Sequence, residues 1–193
     1  GSAESLQWRS PAFHRVPRLV VPFMGTDGVV RGLQGRALAD DKVRWCGPLN
    51  DDEGTWSKFA FMRTAGATDT VIITEGPGDA LSAVAAGFDA LAIRGAALGG
   101  SATEFLADLK GRNVVVAGDN DAAGDTFNDA VQAMIPGATK LALPDGVSDL
   151  SEWRGNAPDS FASALSVAVR AATSATPPTP PETPASDDAT DDD

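Results

Sequence analysis

The stretch NVVVAGDNDAAG, residues 113–124, constrains this chain more than any other. Three consecutive valines without an intervening charge have the composition of a strand buried on both faces. Such strands belong to parallel sheets covered by helices on both sides. Asp119 and Asp121 follow at once, one residue apart, and a run of small residues then opens a helix. Two carboxylates held that close raise each other's pKa unless something positive sits between them. Either a cation is expected there, or Asp121 is simply the N-cap of the helix that follows.

The surrounding sequence repeats this arrangement. VIIT (71–74) precedes a helical pattern ending near Gly87, and DALAIR (89–94) precedes a Gly-rich loop and ATEFLADLKG. NVVVAG precedes a helix stopped by Pro136-Gly137, and TKLALP (139–144) leads through DGVSDLSEW to a closing helix. Strands alternating with helices of this length predict parallel βαβ units with right-handed crossovers. In such sheets the ligand site lies at the carboxyl ends of the strands, where Glu75 and Asp119 fall.

The first seventy residues differ in kind. RLVVPFM (18–24) and VVRGLQGRAL (29–38) read as two strands joined by a tight turn, with Asp27-Gly28 supplying the turn chemistry. The expected organisation is a small α+β N-terminal subdomain over 1–68 and an α/β domain over 69–172. A Pro- and Asp-rich tail over 173–193 is expected to be disordered, since its composition cannot offset the entropy of ordering.

Composition narrows the chemistry. The single cysteine, Cys46, excludes an internal disulfide, and one histidine, His14, leaves little for a histidine-based metal site or a Ser-His-Asp triad. Asp and Glu are the reactive groups in supply. The net charge of −12 argues against non-specific polyanion binding, yet half of it sits in the last twenty residues, which carry six acids and no base. No apolar run approaches the length of a membrane span and no signal-peptide pattern is present, so a cytoplasmic protein without membrane contact is expected.

If the VIIT and NVVVAG strands are neighbours, Glu75, Asp119 and Asp121 converge at one edge of the sheet. Gly76, Gly78, Gly118 and Gly124 leave the surrounding loops unobstructed. Carboxylate oxygens of this kind suit Mg²⁺ or Mn²⁺, which bind through a few carboxylates plus substrate phosphates, and the associated work is phosphoryl chemistry.

These residues carry a family resemblance. VIITEGPGDALSAVAAGFDALAIRGAAL followed by VVVAGDNDAAGDTFNDAV resembles the Toprim domain of bacterial-type primases, topoisomerases and some nucleases, over about residues 70–145. The shared pattern is a glutamate-glycine after one strand, here Glu75-Gly76, and DxD after a later one, here Asp119-Asn120-Asp121. The resemblance implies a Toprim-like parallel sheet flanked by helices, with Glu75, Asp119 and Asp121 as catalytic and metal-binding acids. It also implies a metal role for Asp79, which otherwise reads as a polar residue in the first turn of a helix.

The chain has no tyrosine, so it does not itself form the phosphotyrosine bond of Toprim topoisomerases. RLVVPFMGTDGVVRGLQGRAL is similar to the segment preceding Toprim in bacterial and phage primases, with Arg36 matching the arginine of its second strand. WCGPLNDDEGTWSKFAF resembles a divergent form of the region that follows, with Lys58 as its basic residue. LPDGVSDLSEW is similar to a turn after the last Toprim strand, which places Asp145 and Asp149 near the site as turn residues.

The resemblance therefore implies a DNA primase core making RNA primers by metal-dependent nucleotidyl transfer. Its partners would be single-stranded DNA template, NTPs and a replicative helicase in cis or in trans. Arg36, Lys58, Arg63 and Arg94 are the candidates to hold triphosphate or template backbone. Trp45 and Trp56 could stack on a base, with core packing the stronger expectation. The sequence holds no Cys/His zinc module and no GxxxxGK[ST] loop, so template reading and helicase action are expected to lie elsewhere or to be absent. A metal-dependent Toprim nuclease and a non-catalytic nucleic-acid-binding module are the alternatives.

Overall fold

A computed structural model describes residues 15–47, 57, 59–93 and 105–174. In chain order it contains β1 (Arg18–Met24), β2 (Val30–Ala37), β3 (Trp45–Cys46), β4 (Phe59–Met62), β5 (Thr70–Thr74) and α1 (Pro77–Ala85). There follow β6 (Asp89–Ile93), α2 (Leu106–Leu109), β7 (Asn113–Ala117), α3 (Ala122–Met134), β8 (Thr139–Lys140), α4 (Leu150–Asn156) and α5 (Phe161–Ser174). The strands form a three-stranded sheet in the order β1-β2-β3 and a five-stranded sheet in the order β4-β6-β5-β7-β8.

In the larger sheet β5 lies between β6 and β7 and is parallel to both, with Ile73 opposite Leu91 on one side and Val116 on the other. Because side chains alternate along a strand, each central strand feeds two cores. Val71 and Ile73 join Leu91, Val114 and Val116 beneath Leu109 of α2 and Phe127 and Val131 of α3. Ile72 joins Ala90, Ala92, Val115 and Ala117 on the other face, against Ala80 and Ala83 of α1, Trp153 of α4 and Leu165 of α5. That second face is rich in alanine, which lets helix backbones approach the sheet closely.

The sheet is mixed rather than wholly parallel. β4 runs antiparallel to β6, with Phe59 opposite Ile93 and Met62 opposite Ala90, although it precedes the boundary expected at residue 68. The cause is chain length. Residues 63–69 are the whole connection from β4 to β5, whereas a parallel crossover needs about a dozen residues or more. The TKLALP segment pairs with β7 only through Thr139 and Lys140 before turning into a loop. The ATEFLADLKG helix contributes a single turn, α2. At the other end α5 continues through Ser174, into the segment expected to be tail; the rest of that tail, 175–193, lies outside the described residues.

Among the described residues the N-terminal part is an antiparallel sheet without a helix. β1 and β2 join through residues 25–29, where Gly28 takes the left-handed backbone conformation, φ 77°, that the Asp27-Gly28 pair foretold. The face bearing Val21 and Phe23 packs into the same core as Ala60 and Met62 of β4. The Arg18 side chain, 1% exposed, pairs with Asp41 at 3.3 Å and donates to the carbonyls of Gly35, Val43 and Arg44. It thereby holds the β2–β3 connection to β1.

Phe23, 1% exposed, is the largest fully buried side chain among the described residues and joins the small sheet to the core of the larger one. Phe23→Ala is expected to cost about 3–5 kcal/mol of folding stability, read as a lowered denaturant midpoint.

Candidate active site

Pairing of Thr74 with Ala117 brings the ends of β5 and β7 level. Glu75 therefore emerges beside Gly118 and Asp119, and the Asp119 N–H donates to Glu75 Oε1 at 3.0 Å. Asp121 has extended backbone and caps α3, its Oδ1 accepting from the Gly124 N–H at 2.8 Å. The helix-cap reading of Asp121 is thus realised, and it fixes the carboxylate at this edge. Asp79 lies in the first turn of α1, where Oδ1 accepts from both the N–H and the hydroxyl of Ser151 on α4, at 2.9 and 2.8 Å.

The loop between β7 and α3 is fastened to the loop before α4. The Asn120 N–H donates to Ser148 O at 2.7 Å, and Asn120 Nδ2 donates to Val147 O at 3.1 Å. This draws Asp149, the N-cap of α4, toward the same cluster. Glu152 accepts from the N–H and the hydroxyl of Ser148, which hold its carboxyl below the usual range. Asp145 is exposed on the loop between β8 and α4.

Two glycines make the close approach possible. A Cβ on Gly124 would sit 1.8 Å from the Asp119 carbonyl oxygen, and one on Gly118 would sit 2.6 Å from the Gly124 carbonyl oxygen. The first turn of α3 is thus pressed directly against the strand end. Asn128, buried on the inner face of α3, accepts from the Gly118 N–H at 2.8 Å and satisfies a donor that the turn would leave stranded. Sequence reasoning passed over Asn128; the available signal was a polar residue in register with Gly124, Phe127 and Val131 on an apolar helix face.

The cluster is electrostatically crowded. Burial first, then the charges of Glu75, Asp79, Asp149 and Asp121, push the Asp119 carboxyl up to about 7. Burial and the neighbouring Asp149 raise Asp79 as well, against the opposing effect of the Ser151 bonds. Glu75, Asp79 and Asp121 each spend one oxygen on protein donors, Oε1, Oδ1 and Oδ1 respectively. In that posture no group of three or more Asp, Glu, His or Cys among the described residues is gathered tightly enough to hold a metal.

Glu75, Asp79 and Asp149, but not Asp119 or Asp121, line a groove of about 430 Å³ whose remaining lining includes Gln34, Arg36, Arg44 and Trp45 of the small sheet. The Arg36 guanidinium lies 5.7 Å from the centre of the Trp45 ring. Trp45 is half-buried and packs against the core while also lining the groove.

Of the basic residues singled out from sequence, Arg36 is thus brought to the site. Arg63 is not. Because β4 is antiparallel, its C-terminal end lies level with the beginnings of β5 and β6, away from Glu75. Arg63 instead sits 5.6 Å from the Phe61 ring centre and donates to the Thr26 carbonyl at 3.5 Å. Lys58, Arg94 and Trp56 lie outside the described residues. Gln34 and Arg44 were missed, since nothing in the sequence says which face of β2 and which end of β3 meet the acids.

A parallel sheet edge carrying EG on one strand and DxD on its neighbour defines a Toprim-like α/β domain. Residues 72–153 match the model of the Toprim-like family. No curated protein sequence matches the chain. Among solved structures it is similar in fold to the catalytic domain of DnaG primase bound to single-stranded DNA. The TM-score is 0.59 at 20% identity, over 80% of this chain and 53% of that one. The Aquifex aeolicus primase, solved as its zinc-binding and RNA polymerase domains, gives 0.57 at 20% identity, over 80% and 40%. The primase fragment of the bacteriophage T7 primase-helicase protein gives 0.57 at 15% identity, over 80% and 64%. The chain thus spans less than two thirds of each. Among the described residues no helix is long and apolar enough to cross a membrane.

Two outcomes follow from this geometry. Gly124→Ala should lose about 1–3 kcal/mol through overpacking against Asp119, measured by thermal unfolding. Asp119, with its pKa raised on folding, stabilises the fold fully below about pH 4 and loses that contribution as pH rises through about 7. Asp119→Asn should therefore melt higher than the parent at about pH 8, the difference closing on acidification below the unfolded aspartate pKa.

Proposed function

We propose that the chain is the catalytic core of a DNA primase, joining ribonucleotides into short RNA primers on single-stranded DNA by metal-dependent nucleotidyl transfer. The observation that carries this reading is the groove itself, lined by Glu75, Asp79 and Asp149 from the α/β domain and by Arg36 and Arg44 from the small sheet, with Asp119 and Asp121 next to those acids. An acidic wall suits a cation and a basic wall suits phosphate, and a nucleoside triphosphate with its counter-cation presents both.

The chemistry of the donors suits a divalent cation, which would have to draw the carboxylates together, since no three of them converge as they stand among the described residues. The acids offer hard oxygens, the other oxygen of Glu75, Asp79 and Asp121 is not engaged by a donor among the described residues, and their crowding leaves excess negative charge. Glu75, Asp119 and Asp121 would hold Mg²⁺ or Mn²⁺, with Asp79 beside them. Bound there, the ion supplies charge neutralisation at phosphate and a lowered pKa for a 3′-hydroxyl. The chain's own groups supply the rest. Arg36 and Arg44 orient phosphate oxygens through paired N–H donors, and Trp45 offers a stacking face beside them. Lys58 and Arg94 remain proposed phosphate or template contacts on sequence grounds. Arg63, at the far end of the sheet, would reach only nucleic acid extending well beyond the groove. The fold likeness to a fragment of a primase-helicase supports a replicative helicase as partner, in cis or in trans.

The test is incubation with single-stranded DNA, labelled NTPs and Mg²⁺ or Mn²⁺, alongside Glu75→Gln. Labelled oligoribonucleotides are expected from the parent and at least about a hundredfold less from the variant, given the size of such electrostatic contributions. Cleaved DNA instead of extended product would assign the site to a nuclease.

A further inference from the structure

Asn128 is 2% exposed in the middle of α3, beside Phe127 and on the buried face that also carries Gly124 and Val131. Asparagine is a poor helix former, and a buried amide is costly unless it is bonded. An apolar residue would suit both the helix and the core better. What the amide does have is the Gly118 N–H, which donates to its Oδ1 at 2.8 Å.

The place of that bond in the sheet gives it a consequence beyond satisfying one donor. Val116 turns its backbone polar groups toward β8, its carbonyl accepting from the Leu141 N–H at 2.8 Å. Backbone groups alternate in direction along a strand, so the Gly118 N–H, two residues on, turns to the same side. β8 pairs only through Thr139 and Lys140 and has left the sheet by then. Asn128 stands in for the missing strand. With Gly118 held in that sense, the next amide turns the other way, toward β5, and the Asp119 N–H meets Glu75 Oε1 at 3.0 Å. Gly118 permits the approach, since a Cβ there would sit 2.9 Å from Asn128 Oδ1.

We infer that Asn128 is a positioning residue for the cation site: its side-chain oxygen prolongs β7 by one residue past its ladder and so sets Asp119 against Glu75. The inference rests on the proposed metal-dependent reading and deepens it. An ion entering this site has to draw the carboxylates together. If the Gly118 peptide were free to turn, binding would also have to order Asp119, and affinity would fall by that entropy. The side chain touches neither carboxylate and acts only through the backbone between them.

The experiment is titration with Mn²⁺ alone, followed by the electron paramagnetic resonance of the free ion, with thermal melting of each protein in parallel. The proteins are the parent, Asn128→Ala, Asn128→Leu, Val131→Ala and Glu75→Gln, the last defining which bound Mn²⁺ belongs to this site. Alanine leaves a cavity at 128 and leucine fills the space, yet neither accepts from Gly118. Val131→Ala opens the same helix face without touching that N–H. Both Asn128 variants should bind Mn²⁺ about ten- to a hundredfold more weakly than the parent, the size of effect seen for groups that orient metal ligands. Val131→Ala should melt lower than the parent and bind Mn²⁺ as the parent does. If Asn128→Ala does not fold, Asn128→Leu decides. Parent affinity in Asn128→Leu overturns the inference, because shape alone would then suffice. A loss in Val131→Ala equal to that in the Asn128 variants overturns it too, assigning Asn128 to packing. Absence of any Glu75-dependent Mn²⁺ binding in the parent overturns the metal-dependent reading and the inference with it.

Discussion

Parallel pairing of β5 with β7, in the register that sets Thr74 beside Ala117, is the constraint on which the rest of this structure hangs. A shift of one residue would turn each strand's side chains to the opposite face and mismatch both cores. The register is protected by the contrast between those cores. Val71, Ile73, Val114 and Val116 meet bulky helices on one side, while Ile72, Val115 and Ala117 meet the alanine-rich face of α1 on the other. The placement of Glu75 next to Asp119 is thus set by apolar packing in the strands behind them, several residues from any charge.

What that packing gathers is intrinsically unfavourable: five acids at one sheet edge, with Asp119 pushed to near-neutral pKa. The structure accommodates them by giving several a second duty. Asp121 and Asp149 cap helices, Asp79 ties α1 to α4, and Glu75 receives the Asp119 N–H. Four of the five carboxylates are therefore held in place by neutral donors, and among the described residues none of the five pairs with a cationic side chain. An arginine in that role would have relieved the repulsion, and it would also have competed with any cation brought by a ligand.

Much of the α/β domain was legible in the sequence because its signals are local. Valine and isoleucine runs ended by Glu75 or by Asp119 mark strands and their carboxyl ends, and Pro136-Gly137 stops α3. What remained hidden depends on distant pairing. β4 carries no mark of its direction, which follows from the short 63–69 connection and from the place of β6 between it and β5; the displacement of Arg63 is a consequence. The basic wall was half legible. Arg36 stands in a patterned strand, whereas Arg44 belongs to a stretch without periodicity, brought into place by Arg18 acting on its backbone. Gln34 carries no mark in the sequence, and only its burial distinguishes it.

The two rims of the five-stranded sheet have a consequence for behaviour in concentrated solution. Its central strands are the kind of uncharged β-branched segments that associate when their backbone is left open. On one rim β8 offers only two paired residues, and one of them is Lys140, which reaches Asp125. On the other rim β4 is flanked by β1, whose Val21 and Phe23 share its core. A short charged rim and a covered one are the usual defences against strand-to-strand addition. The small sheet that supplies the arginines of the groove thus also shields the α/β domain from polymerising with copies of itself.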